Sequence, residues 1–157
     1  MSVKQRRAVL LSVLAASVVL ADELMKYYAL HHFPFEETLV KANVLALAIL
    51  KNFGIAFDIP FKLPVVLILS FPFLILLGYT AAKKWNQRPD MSLALALIII
   101  GALGNIYDRI MYGFTVDYLI WFGRTAINMS DVVIVLGVLV LLFVSRRKRR
   151  RPDDEKL

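Results

Sequence analysis

Four apolar runs, each close to the length of a bilayer crossing, constrain this chain more than anything else in it. They cover Ala8 to about Leu30, Leu63 to Ala82, Met91 to about Tyr112, and Asn128 or so to Ser145. A bilayer core asks for roughly 20 residues of helix, and inside it a chain satisfies its own backbone polar groups only as helices or closed barrels. An all-α membrane protein with a bundle of four transmembrane helices is expected. Composition agrees: at 59% hydrophobic residues and positive mean hydropathy, a chain of 157 residues cannot hide its apolar side chains in one water-soluble core. No repeat or low-complexity segment divides it, so one membrane-embedded domain over 1–157 is expected.

The net charge of +7 would suit a nucleic-acid binder, but the basic residues cluster at Lys4 to Arg7, Lys83 to Arg88 and Arg146 to Arg151. Those clusters flank apolar runs, as juxtamembrane anchors do, and no nucleic-acid partner is expected. In a four-span topology all three fall on one side, together with thirteen of the nineteen Lys and Arg residues. The positive-inside rule then places both termini in the cytoplasm. The basic start followed by an apolar run also fits a secretory signal peptide. No small-residue cleavage site follows, however, and the run continues through Asp22, Glu23 and Lys26. Zero cysteines exclude disulfides, thiolate nucleophiles and thiolate metal sites.

Two outer segments remain, 31–62 and 113–127. In the first, Leu45, Leu47 and Ile49 alternate with Ala46 and Ala48, the period of a strand with one large-residue face. Asn52 and Gly54 read as turn residues that tolerate positive φ. His31 and His32 lack a ligand cluster and read as interfacial histidines; neither a metal site nor a cofactor is expected. Pro64 fits the first turn of the second span, and Pro72 is expected to kink its middle. Lys83 to Asp90 reads as a short hairpin with Trp85 at headgroup depth, and Arg146 to Leu157 as an anchoring, solvated tail.

The chemistry gathers at one end. Asp22 and Lys26 are four apart, so they share a face near the outer end of the first span and can form an ion pair. At about 100° per residue, Gly101, Gly104, Asn105, Asp108 and Arg109 fall in one sector of the third span. The two glycines admit a neighbouring helix, and the polar side chains then face protein instead of lipid. Asn128 and Asp131 share a face of the fourth span, and Asp117 lies in the outer segment before it. Ionisable groups near a bilayer centre cost roughly 2.5–3.5 kcal/mol each, so they seldom appear without a use. Brought together at the edge of a low-dielectric medium, Asp117 and Asp131 could not both ionise. Such a pair can take a proton from an attacking water and donate one to a peptide carbonyl. Its titration belongs to the pair.

With those residues in view the chain resembles the bacterial lipoprotein signal peptidases, also called signal peptidase II. The resemblance rests on five blocks in order: Asp22 to Lys26, Asn52 to Phe57, Gly101 to Arg109, Val116 to Tyr118, and Asn128 to Asp131. It implies an aspartic endopeptidase of the bacterial plasma membrane, acting at the extracytoplasmic face. Its substrates would be diacylglyceryl-modified prolipoproteins, cut just before the lipid-modified cysteine. By position, Asp117 and Asp131 match the catalytic dyad. Asp22, Lys26, Asn52, Gly54, Asn105, Asp108, Arg109 and Asn128 match residues that shape or support the site. The resemblance also implies a small extracytoplasmic β-cradle in the first outer segment.

Two residues depart from the family pattern: Glu23 stands where Gln is usual and Ser130 where Ala is usual. Ser130 is placed to hydrogen-bond near Asp131 and change its proton affinity. Lys26 and Arg109 are each candidates for stabilising the aspartates or for orienting the peptide backbone. A substrate already in the bilayer would arrive laterally between helices, and membrane lipids are its natural companions. Nothing in the sequence demands a partner chain, so a monomer is expected. Two other classes compete, a small ion- or proton-conducting protein and a non-catalytic scaffold. A conducting path needs polar groups at all depths, whereas the inner halves of the four spans are nearly pure aliphatic.

Overall fold

The structure is a computed structural model, and it describes residues 1–32, 45–54, 62–122 and 125–149. Along the chain come α1 (Val3–His32), β1 (Leu45–Asn52), α2 (Leu63–Lys84), α3 (Pro89–Tyr112), β2 (Thr115–Trp121), β3 (Thr125–Ile127) and α4 (Met129–Arg149). All four helices are long and apolar enough to cross a membrane. The parts of the first outer segment around β1, including Ile55 to Phe57 of the second sequence block, and the tail from Arg150 onward lie outside the described residues.

Helix ends follow from local chemistry. α1 starts before its apolar run because Ser2 and Gln5 cap it reciprocally: Ser2 Oγ accepts the Gln5 N–H at 3.2 Å, and Gln5 Oε1 accepts the Ser2 N–H at 2.7 Å. At its other end His31 and His32 are helical, not part of the irregular segment. Each ring bonds the carbonyl four residues back, on Tyr27 and Tyr28. α2 has Pro64 in its first turn and runs unbroken through Pro72. α3 has Pro89 and Asp90 in its first turn and stops at Gly113, whose left-handed φ of 82° lets its N–H bond Arg109 O.

The three basic clusters share one end of the bundle. Gln5 bonds Asn86 of the α2–α3 turn, and Arg88 donates to Val144 O near the end of α4. α3 is the central helix, packed on each of the other three and holding most of the buried helical residues. Close approach depends on glycine. A Cβ at Gly101 would stand 2.5 Å from Ser130 O, and one at Gly104 would meet Ser130 Oγ and Val19. α2 buries none of its side chains, and its exposed Ile68, Leu69, Phe73 and Ile75 suit a lipid-facing surface.

The expected strand is present and longer, ending at Asn52. The second outer segment, for which the sequence pattern assigns no element, supplies the other two strands of an antiparallel sheet ordered β1-β2-β3. Its residues are β-branched and aromatic, but Thr115, Val116 and Asp117 are all buried, so no alternation marks the strand. The β1–β2 register slips between Leu47 and Leu50: Leu47 pairs with Leu119, but Leu50 pairs with Asp117. β1 therefore carries one extra residue, a bulge. A one-residue slip exchanges faces, and it brings Asn52 onto the face of Asp117.

Candidate active site

Asp117 and Asp131 reach the same cavity, of about 430 Å³, from different elements. Asp117 sits mid-strand on β2, where neighbouring side chains point to opposite faces. Its carboxylate turns to the cavity, while the Tyr118 hydroxyl donates to Asp22 Oδ1 on α1. Asp131 lies in the first turn of α4 and completes a reciprocal cap with Asn128. Asn128 Oδ1 accepts the Asp131 N–H at 3.0 Å, and Asp131 Oδ2 accepts the Asn128 N–H at 3.2 Å. The positive end of the helix dipole also favours a carboxylate there.

Amide side chains join the two acids. Asn128 Nδ2 donates to Asp117 Oδ1 at 2.8 Å and to Asn105 Oδ1 at 3.0 Å, and Asn105 Nδ2 donates to Asp131 Oδ1 at 2.7 Å. Asn52 Nδ2 donates to Asp117 Oδ2 at 2.8 Å. Each of the four carboxyl oxygens thus has a donor, and the spacing of the pair is set by Asn105 and Asn128. Burial, reinforced by the charge of Asp131, pushes the Asp117 carboxyl up from 3.8 to about 6 against the pull of the Asn52 and Asn128 donors. Burial and the bond to Asp22 likewise hold the proton on the Tyr118 phenol more tightly than usual.

Gly54 does not adopt positive φ; among the described residues only Gly113 and Phe122 do. Its N–H instead donates to Asn52 Oδ1 at 2.9 Å in a local turn, and its carbonyl accepts from Arg109 Nη2 at 2.8 Å. Arg109 also donates to Asn105 O at 3.0 Å, so one guanidinium ties the end of β1 to α3 while lining the cavity. Val66, Ser70, Ala102, Ile106, Ile134 and Val135 complete the cavity's largely apolar wall from α2, α3 and α4.

Lys26, Asp22 and Asp108 stand behind this wall, not in it. Lys26 Nζ lies 3.1 Å from Asp22, 2.9 Å from Glu23 and 2.9 Å from Asp108. The expected Asp22 pair forms, but the lysine makes no ion pair with Asp117 or Asp131. Asp108 Oδ2 accepts the Val116 N–H at 3.1 Å. Ser130 Oγ donates to Asp22 Oδ2 at 3.3 Å and faces away from Asp131, contrary to the expectation for it.

The site thus holds two carboxyls from distant parts of the sequence, sharing donors at the end of an apolar slot. The model of the family described as "Signal peptidase (SPase) II" matches residues 14–146. The chain belongs to the signal peptidase II family. It is 29% identical over 150 residues to the lipoprotein signal peptidase of Pasteurella multocida, covering 90% of this chain and 91% of that one. To the lipoprotein signal peptidase of Shewanella piezotolerans it is 30% identical over 151 residues, with 88% and 89% covered. Among solved structures it is similar to a bacterial membrane enzyme determined by the in meso method at 2.3 Å resolution. There the TM-score is 0.78 at 25% identity, with 93% of each chain covered. A second such enzyme, at 1.9 Å, gives 0.72 at 27% identity, covering 85% of this chain and 91% of that one. As a member of this family the protein is a membrane aspartic protease that processes lipoprotein signal peptides.

Sequence reasoning brought forward every acid of the site but missed the roles of Tyr118 and Glu23. Tyr118 follows Asp117, and reading Thr115 to Trp121 as a strand would have sent it to the opposite face. Glu23 adjoins Asp22 and shares Lys26 with it at a spacing of three, which already marks it as a second partner.

Proposed function

We propose that Asp117 and Asp131 are the catalytic dyad with which this member removes signal peptides from diacylglyceryl-modified prolipoproteins, cutting just before the modified cysteine. The observation that carries this reading is the single cavity both carboxyls line, with Asn128 and Asn105 bridging them. In this reading Asp117, where burial favours the protonated form, serves as the acid, and Asp131 at the α4 N-terminus serves as the base. Asp131 takes a proton from the attacking water, and Asp117 gives its proton to the carbonyl oxygen. As the tetrahedral intermediate collapses, Asp131 protonates the leaving nitrogen, the carbon–nitrogen bond breaks, and Asp117 recovers its proton.

The apolar wall from α2, α3 and α4 suits a substrate whose signal segment and lipid chains already lie in the bilayer. Asn52, Gly54, Asn105, Arg109 and Asn128 shape the cavity; Asp22, Lys26 and Asp108 support it from behind. The chain acts as one membrane-embedded domain and as a monomer among membrane lipids. It sits in the bacterial inner membrane with both termini cytoplasmic and the site at the extracytoplasmic face. The basic clusters at one end of the bundle and the dyad at the other support that orientation. Asp117→Asn and Asp131→Asn are each expected to abolish cleavage of a lipid-modified prolipoprotein in detergent while substrate binding persists. Near wild-type turnover in either variant would overturn the dyad. Unmodified substrate should be cut poorly, and equal cleavage would overturn the lipid requirement.

A further inference from the structure

Lys26 is surrounded by three acids, and a count of their oxygens leaves two without a donor. Asp22 Oδ1 accepts from Tyr118 and Oδ2 from Lys26 and Ser130. Glu23 Oε1 accepts from Lys26, and Asp108 Oδ2 from Lys26 and the Val116 N–H. Glu23 Oε2 and Asp108 Oδ1 are buried with no hydrogen-bond partner among the described residues. They belong to two acids that bind one ammonium at 2.9 Å each, so both carboxyls crowd around Lys26 Nζ. Two bare acceptors on carboxyls that share one lysine, both buried, are costly unless one of them carries a proton.

We infer that Glu23 is held as the neutral acid and donates a hydrogen bond from Oε2 to Asp108 Oδ1, which makes Glu23 a positioning residue for the strand that carries Asp117. One proton closes both open oxygens together. It also leaves two carboxylates instead of three on a single lysine, in a cluster whose side chains are almost wholly out of solvent. The remaining neighbours do not supply the missing donor. Tyr118 and Ser130 are spent on Asp22, and the Arg109 guanidinium is spent on the Asn105 and Gly54 carbonyls. Tyr112 of α3 makes no bond to either open oxygen.

The consequence reaches the site through Asp108. Its other oxygen holds the Val116 N–H, one residue before Asp117, so a second negative charge beside it would push Asp108 away and loosen β2. Gly104 allows this packing: a Cβ there would stand 3.3 Å from Glu23 Oε1.

The test uses the full chain in detergent with lipid-modified substrate across pH, and compares Glu23→Gln with Glu23→Ala. Gln keeps the shape and offers a permanent neutral donor. Glu23→Ala is expected to lose roughly 10- to 100-fold in turnover, mostly in kcat with KM little moved, as befits a lost buried hydrogen bond. Glu23→Gln is expected to restore most of that loss and to hold its kcat to higher pH than the wild type. The infrared difference between wild type and Glu23→Gln should show the C=O stretch of a protonated carboxylic acid, shifted in heavy water. No such band, or a Glu23→Gln variant as impaired as Glu23→Ala, would overturn the assignment. The turnover arm rests on the dyad reading above and the infrared arm does not. If Asp117→Asn stayed active the dyad would fall, while the infrared band would still decide Glu23.

Discussion

Replacing Asn52 by Leu should move the alkaline limb of the pH–rate profile upward, and the structure fixes both sign and size. An aspartic dyad works while it holds one proton, so its rate falls when the pair loses that proton. Asn52 Nδ2 donates to Asp117 Oδ2 at 2.8 Å, a bond that favours the ionised form. Removing the donor disfavours ionisation, so the proton stays to higher pH. A hydrogen bond to a charged group contributes about 1.5–3 kcal/mol, and each pH unit is about 1.4 kcal/mol, giving a shift of roughly 1–2 units. Leu has nearly the shape of Asn, so no water-sized gap opens to solvate the carboxyl and cancel the effect. The wild-type limb is expected near the value of about 6 to which Asp117 is pushed. In the variant it is expected at about 7–8. The assay is kcat/KM against pH in detergent with lipid-modified substrate, because that ratio reports the free enzyme. The plateau should also drop, since Gly54 loses its bond to Asn52 Oδ1. An alkaline limb that stays fixed or moves to lower pH would refute the reasoning.

Gly101→Ala is expected to lower the melting temperature and the turnover together, because its Cβ would stand 2.5 Å from Ser130 O and force α3 from α4 where the dyad helix begins. The cost of such overpacking is about 1–3 kcal/mol; Gly78→Ala, with nothing within 4 Å, should be near neutral in the same melt. Arg109→Lys should lose almost as much turnover as Arg109→Ala, since an ammonium cannot span the Asn105 and Gly54 carbonyls with a planar fork; full activity in the lysine variant would show that charge alone suffices. For topology, an impermeant label applied from outside should reach a cysteine at position 41 and one applied from inside should reach position 86, and the reverse pattern would invert the orientation.

The spans were legible because bilayer length and apolar composition leave a chain little choice; their ends shifted by a few residues, at the start of α1 because Ser2 and Gln5 cap it outside the apolar run. β1 was legible from its alternation. β2 was not, because Thr115, Val116 and Asp117 are buried on both faces and show no period. The bulge between Leu47 and Leu50 leaves no trace in composition, yet it decides that Asn52 faces Asp117. Local spacing gave the Lys26 pair with Asp22, but the bonds to Asp108 and from Tyr118 join residues far apart in sequence and needed the packing itself. Ser130 shows the limit most plainly. Adjacent to Asp131 in sequence, it is about 100° away around the helix, and its hydroxyl turns to α1.

That turn gives α1 a role its position does not advertise. No α1 side chain lines the cavity, yet the residues flanking both acids are tied to its polar cluster. Val116 and Tyr118, on either side of Asp117, bond Asp108 and Asp22, while Ser130, beside Asp131, bonds Asp22. The β2 strand and the start of α4 are thereby fixed to one buried lysine and its acids, in a region where every open polar group is costly. Two carboxyls that repel each other need a rigid frame to stay within reach of one water. Apolar packing of α3 on α4 sets the distance between backbones but not the direction of each carboxyl. The charged cluster behind the wall supplies that direction, which is why so much ionisable chemistry sits one layer away from the acids proposed to cut the substrate.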